Sequence, residues 1–315
     1  MDNFKNLEEF FEEIKEVKNK DIYLDYNIII ELEELEKKDI NLFKKYFLVL
    51  NNNNVYYSYG HLEELNTYPE LTTKMLENRL NFIEKLTKNK EIIFAGNKEK
   101  FHKKIENVRS CYSRVAMSPT FNEEQDQVFH YTHKKLITQK INNVNNLKPT
   151  NFFFMPQVKK EFKIYLEEER KRAKLSIGNF CKILSEMQIM SNNSLTFEEK
   201  NLYINFIRSE SCTEEIIEDL FKAVEEKDTA YIKEKMTNFN YTESLIEFLF
   251  NFLYRIEYFK EGKKSSVYRS KVFDVTHSIF ATQMDYFVTS DKRLWQKIKV
   301  IYSFLGIKTE LIKIK

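Results

Sequence analysis

DIYLDYNIIIELEELEKK, residues Asp21–Lys38, decides the fold. A short β-branched and aromatic run from Asp21 breaks at a polar turn, Asp25–Asn27, and gives way to the helical ELEELEKK, so the spacing predicts strand, acidic turn and helix. The grammar repeats downstream. Val55–Tyr57 is an apolar run closed by Ser58, Tyr59 and Gly60, followed by the helical HLEELNTYPELTTKMLENRLNFIEKL, interrupted near Pro69. A third run, Ile92–Phe94, ends at Ala95 and Gly96. Strands separated by helices predict a parallel α/β sheet with its functional edge at the strands' carboxyl ends.

Outward from this core, Leu7, Phe10, Phe11, Ile14 and Val17 mark one face of a leading helix. From Asn97 to about Lys260 nearly every apolar spacing is three or four, which predicts a purely helical block. Its joints fall at Met117–Thr120, at INNVNNLKPTN before Pro156, at Ser191–Ser194 and at Ser211; Thr196 with Glu199 and Ser211 with Glu214 fit reciprocal capping boxes. SLIEFLFNFLYRIEYF, residues 244–259, is apolar all round and predicts a buried central helix or an oligomer contact. Strand signals return at Tyr286–Thr289 and Lys308–Ile312. The expected architecture is therefore a discontinuous α/β domain, residues 1–96 and 263–315, with a large all-helical insertion, residues 97–262, between the third and fourth strands.

Composition agrees. The 315 residues include only 5 Gly and 4 Pro, which disfavours a turn-dense all-β fold, and 42% hydrophobic residues supply a real core. Fifty Lys and Arg against 48 Asp and Glu confine any nucleic-acid site to a local patch. Cys111, Cys181 and Cys212 form no Cys-x-x-Cys pair and read as thiols of a reducing, cytoplasmic protein. The lysine-rich start has no apolar core of a leader, and no long uncharged apolar stretch follows, so no membrane partner is expected.

The acids gather on this framework. Asp25 follows the first strand, Glu63 and Glu64 open the helix after the second, Asp274 lies in the helix before the fourth, and Asp291 follows that strand. In RSKVFDVTHSIFATQMDYFVTSDKRLW, Asp274, His277, Ser278, Ala281 and Asp285 have the spacing of one helix face. Carboxylates converging from separate segments repel unless a cation sits among them, and hard oxygen donors suit Mg²⁺ or Mn²⁺. Asp285 is either a fifth ligand or a strand-start residue. Singly, each of these acids has a plainer meaning as a turn or cap residue. His61 and His277 read first as packing and capping residues.

LDYN around Asp25, YSYGHLEEL around Glu64, and D-x-x-H-x-x-x-A-x-x-x-D-x-F-V-T-x-D from Asp274 to Asp291 together resemble the PIN-domain metal-dependent nucleases, including PIN-like toxins and defence proteins of bacteria. The resemblance covers residues 20–96 and 265–315 and is silent on the helical block. It implies that Asp25, Glu64, Asp274 and Asp291 are metal ligands and catalytic residues, with His277 orienting a ligand or touching phosphate. Two divalent ions about 3.5–4 Å apart would then drive in-line hydrolysis of a phosphodiester, leaving a 5′-phosphate. RNA is the substrate the resemblance favours, while the acids alone fit DNA equally.

Lys263, Lys264, Arg269 and Lys271, with Tyr268 among them, precede Asp274 and form a candidate substrate-binding segment for a single strand. The alternatives are a DNA-directed nuclease and a catalytically silent PIN-like scaffold that binds an antitoxin or another defence protein. A homo-oligomer is compatible with either. A doubly wound phosphatase is disfavoured because position 27, where an aspartate nucleophile's D-x-D start needs a second Asp, is Asn.

Overall fold

A computed structural model of the chain describes residues 6–67, 72–95, 100–117, 141–190, 213–260 and 266–314. The two capping boxes at Thr196 and Ser211, the interruption at Pro69 and the joint at Met117–Thr120 fall wholly or partly outside these residues.

The sheet forms as the apolar runs predict. β1 (Asp21–Leu24), β2 (Asn54–Tyr56), β5 (Tyr286–Thr289) and β6 (Glu310–Lys313) make a four-stranded parallel sheet in the order β2-β1-β5-β6. Helices α1 (Leu7–Ile14), α2 (Tyr26–Lys38), α3 (Ile40–Asn51), α4 (Tyr59–Asn66) and α5 (Thr73–Thr87) connect and precede the first strands. Asn6 caps α1 through a reciprocal bond pair with Glu9.

β3 (Lys90–Ala95) departs from the expectation of a third sheet strand. It pairs antiparallel with β4 (Lys100–Ile105) in a separate hairpin and is tied to the end of β2 by the parallel bridge of Tyr57 and Glu91. Two backbone bonds make that junction, from Tyr57 N–H to Lys90 O at 3.0 Å and from Ile92 N–H to Tyr57 O at 2.8 Å. β4 lies inside the stretch read as purely helical. Its sequence, KFHKKI, has lysines where a strand pattern needs apolar residues, because β4 is exposed or half-buried along its whole length and needs only one weakly apolar face.

Side chains along the central strands alternate between two cores. Ile22, Leu24 and Val288 point to one that also holds Phe10 and Phe11 of α1, Leu32 of α2 and Ile83 of α5, whereas Tyr23 and Phe287 point to the other. The second core contains α10 (Phe239–Arg255), α11 (Ser266–Ala281) and α12 (Lys292–Leu305), numbered after α6 (Val108–Met117), α7 (Pro156–Met190), α8 (213–226) and α9 (Ala230–Lys235). Phe152, Phe162, Leu220 and Phe252 belong to that same core, so the helical segment packs as the sheet's second layer. α7 begins at Pro156, which has no N–H to leave unpaired in a first turn. α10 buries residues on nearly all sides, as its sequence predicts.

The sheet order places β1 beside β5. The chain moves outward to β2 in one direction from this pair and to β6 in the other, which makes the β1/β5 seam a topological switch point. In parallel sheets of this kind, the crevice beyond the carboxyl ends at such a seam is the usual ligand site.

Candidate functional site

Asp25 stands at that seam. β1 ends at Leu24 and α2 begins at Tyr26, so Asp25 occupies the helix N-cap, yet its carboxylate caps nothing. Instead Asp25 Oδ2 accepts a 2.7 Å bond from Thr289 Oγ1, the last residue of β5, and Asp25 N–H donates to Val288 O at 2.8 Å. Thr289 Oγ1 in turn accepts Asp291 N–H at 3.0 Å, tying the two acids through one hydroxyl. Asp291 does cap its helix: Oδ1 accepts the amides of Arg293 at 2.6 Å and Leu294 at 2.9 Å.

Asp25 is 4% exposed. Burial first, and then the negative charges of Glu64 and Asp291, push its carboxyl up to about 6, against the opposing effects of His277 and the Thr289 hydroxyl. Glu64 and Asp291 are thus electrostatic neighbours of Asp25, as the sequence predicts. Between Glu63 and Glu64, the carboxylate turned to the site is Glu64, which accepts His277 Nε2–H at 3.1 Å. Glu63 is buried near Tyr59, whose hydroxyl also feels Glu243 of α10.

The chain matches no known protein family, no curated protein and no solved structure.

Asp274 lies on α11 one turn before His277, on the same helix face and half-buried. Its carbonyl accepts the Ser278 hydroxyl at 2.6 Å. Lys271, one turn earlier, sets its Nζ 4.5 Å from the Tyr254 ring centroid, as does the buried Lys297 of α12. Lys263 and Lys264 and the side chain of Arg269 lie outside the described residues.

Asp285 does not join the other acids. α11 ends at Ala281, a turn follows, and Asp285 precedes β5 at the amino edge of the sheet, roughly 15 Å from the seam at about 3.3 Å per strand residue. There its carboxylate accepts Asp21 N–H at 2.9 Å and pairs with Lys20 at 3.1 Å. The strand-start meaning is the one realised, and the helix-face spacing fails because the helix stops four residues short. On α6, Arg109 pairs with Glu77 and Glu84, and Arg114 with Glu106.

Two features go beyond the residues singled out by sequence. Glu31 of α2 bonds the Ser290 hydroxyl beside Asp291, and burial raises its carboxyl; within ELEELEKK it is indistinguishable from a solvated face. Gly60 is a close-approach residue, since a Cβ there would stand 2.8 Å from Thr276 Cγ2 and 3.6 Å from His277 Cε1. Only glycine lets α4 meet α11 where Glu64 meets His277.

Among the described residues, no three His, Cys, Asp or Glu side chains are gathered as a preformed metal cluster. The donor set still fits a hard cation. Mg²⁺ typically takes one or two carboxylates and completes its octahedron with water and substrate phosphate rather than with an all-protein cage. A carboxyl raised first by burial, with negative charges beside it, is the group whose ionised form such an ion would stabilise.

Proposed function

We propose that the chain is a metal-dependent nuclease of PIN-like type, hydrolysing phosphodiesters, with RNA favoured by the sequence resemblance. The observation that carries this reading is the buried Asp25 at the β1/β5 switch point, joined to Asp291 through Thr289 and flanked by Glu64. Asp25, Glu64, Asp274 and Asp291 would hold Mg²⁺ or Mn²⁺. When bound, such ions polarise the phosphoryl group, activate water and stabilise the leaving oxygen.

The chain's own residues supply the rest. Asp25 enters the site from the end of a central strand, so its position is set by the sheet rather than by a loop. Thr289 fixes one Asp25 oxygen, and the backbone amides of α12 fix one of Asp291, which leaves each carboxylate oriented. His277 holds Glu64 from below. Lys271, on the helix that carries Asp274, provides a cation for the polymer's phosphates. A role as a toxin or antiphage effector is part of the same proposal.

The second reading is a catalytically silent scaffold for a protein partner. One experiment separates them: single-stranded RNA and DNA oligonucleotides incubated with Mn²⁺ or Mg²⁺, with EDTA and Asp274→Asn as controls. Cleavage abolished by both controls supports the nuclease and identifies its polymer. No cleavage of either polymer by the wild type, under conditions where it binds no Mn²⁺, moves the assignment to the scaffold.

A further inference from the structure

Beneath Glu64 lies a chain of buried polar groups that the proposed chemistry does not use directly. His277 Nε2 faces Glu64 Oε2 at 3.1 Å, and its Nδ1 lies 2.9 Å from Tyr23 Oη. Tyr23 Oη is 2.5 Å from Ser58 Oγ. Ser58 N–H donates to His61 Nδ1 at 3.0 Å, and His61 Nε2 lies 2.8 Å from Leu24 O. Tyr23, Ser58 and His61 are each 0% exposed, and His277 is 1% exposed.

Donor and acceptor chemistry orders this chain in one direction. Leu24 O only accepts, so His61 carries its proton on Nε2, leaving Nδ1 to accept Ser58 N–H. Glu64 as a carboxylate only accepts, so His277 carries a proton on Nε2, and in the neutral ring its Nδ1 accepts the Tyr23 hydroxyl. Tyr23 Oη then accepts from Ser58 Oγ–H, which chooses this 2.5 Å partner over His61 Nδ1 at 3.5 Å. Burial keeps both groups neutral, raising the Tyr23 phenol well above its ordinary value and pushing His61 down to about 3.

Resting on the metal-dependent reading above, we infer that Tyr23, Ser58 and His61 are positioning residues that set two acids in one register. Ser58 is the junction. Through its N–H and His61 it anchors the Leu24 carbonyl, the residue before Asp25; through its hydroxyl, Tyr23 and His277 it orients Glu64. The relay spans β1, α4 and α11, the elements that Gly60 allows to close together. Groups that hydrogen-bond a ligand side chain directly, as His277 does Glu64, typically govern metal affinity by about 10–100-fold, and Tyr23 fixes His277.

The test uses the full chain and its Tyr23→Phe variant, which keeps the buried ring and removes the hydroxyl. Nitrogen-detected NMR of the imidazoles reads tautomers without metal, and Mn²⁺ binding is measured by electron paramagnetic resonance alongside thermal unfolding. Expected are Nε2–H tautomers for His61 and His277 in the wild type, a changed His277 signal in the variant with His61 unaltered, and Mn²⁺ affinity about 10–100-fold weaker in a folded protein. A His277 signal unaffected by Tyr23→Phe, or unchanged Mn²⁺ affinity despite a changed signal, overturns the positioning role. Wild-type protein that shows the tautomers but binds no Mn²⁺ overturns instead the metal-dependent reading beneath it. If Tyr23→Phe fails to fold, Ser58→Ala provides the same comparison from the next link.

Discussion

Thr289 donates its hydroxyl to Asp25 Oδ2 at 2.7 Å and receives Asp291 N–H on the same oxygen at 3.0 Å. One side chain at the end of β5 thereby sets the spacing of two acids from different strands. Thr289→Val keeps the shape but leaves a buried carboxylate short of a donor and an amide short of an acceptor. Denaturant unfolding should show a loss of about 1–3 kcal/mol. A loss below about 0.5 kcal/mol, smaller than a typical net hydrogen bond, would contradict the bridging role.

Asp25 makes stability depend on pH in a defined direction. Its carboxyl is raised from 3.8 to about 6, so between those values the folded chain binds more protons than the unfolded one, and stability contributed by this group falls as pH rises through the window. Asp25→Asn removes the dependence while still accepting the Thr289 hydroxyl. In metal-free buffer the variant should match the wild type near pH 4 and exceed it by about 3 kcal/mol above pH 7, taking about 1.4 kcal/mol per pKa unit. Parallel stability profiles for the two proteins would rule out the buried, raised carboxyl.

Gly60 yields a paired test. Gly60→Ala drives a methyl into Thr276 Cγ2, and the resulting separation of α4 from α11 should cost about 1–3 kcal/mol. Thr276→Ser removes that methyl, so the double variant should regain much of the loss. Strict additivity of the two changes in thermal or denaturant unfolding would show that the helices do not meet through this contact.

Asp285 separates the seam from the opposite edge. Because it faces Lys20 and the Asp21 amide, Asp285→Asn should leave metal-dependent cleavage within about 2-fold, a rate change worth only about 0.4 kcal/mol. A loss comparable with that of Asp274→Asn would place it at the site after all.

Much of the scaffold was legible because parallel strands buried on both faces spell themselves out. YFVT became β5 at its predicted bounds, and DIYL ended where the acid stands. β4 was not legible, since an exposed hairpin strand needs little apolar periodicity and its lysines look like a helix surface. Asp25 and Glu64 could be marked from their places after a strand and in a helix opening. The relay through Tyr23, Ser58 and His61 could not, because it depends on contacts between residues as far apart as Tyr23 and His277. Asp285 failed for a local reason: helix spacing was carried past Ala281, where the helix has already ended.

On the proposed reading, the carboxylates at the β1/β5 seam hold a divalent cation, and Asp25 is the most deeply placed of them. Mn²⁺ binding to the wild type and to Asp25→Asn, measured by isothermal titration at pH 7.5, tests it most directly. Saturable binding to the wild type and at least about 10-fold weaker binding to the variant are expected, a difference of about 1.4 kcal/mol. Equal affinity in the two proteins, or no binding to the wild type, would contradict it.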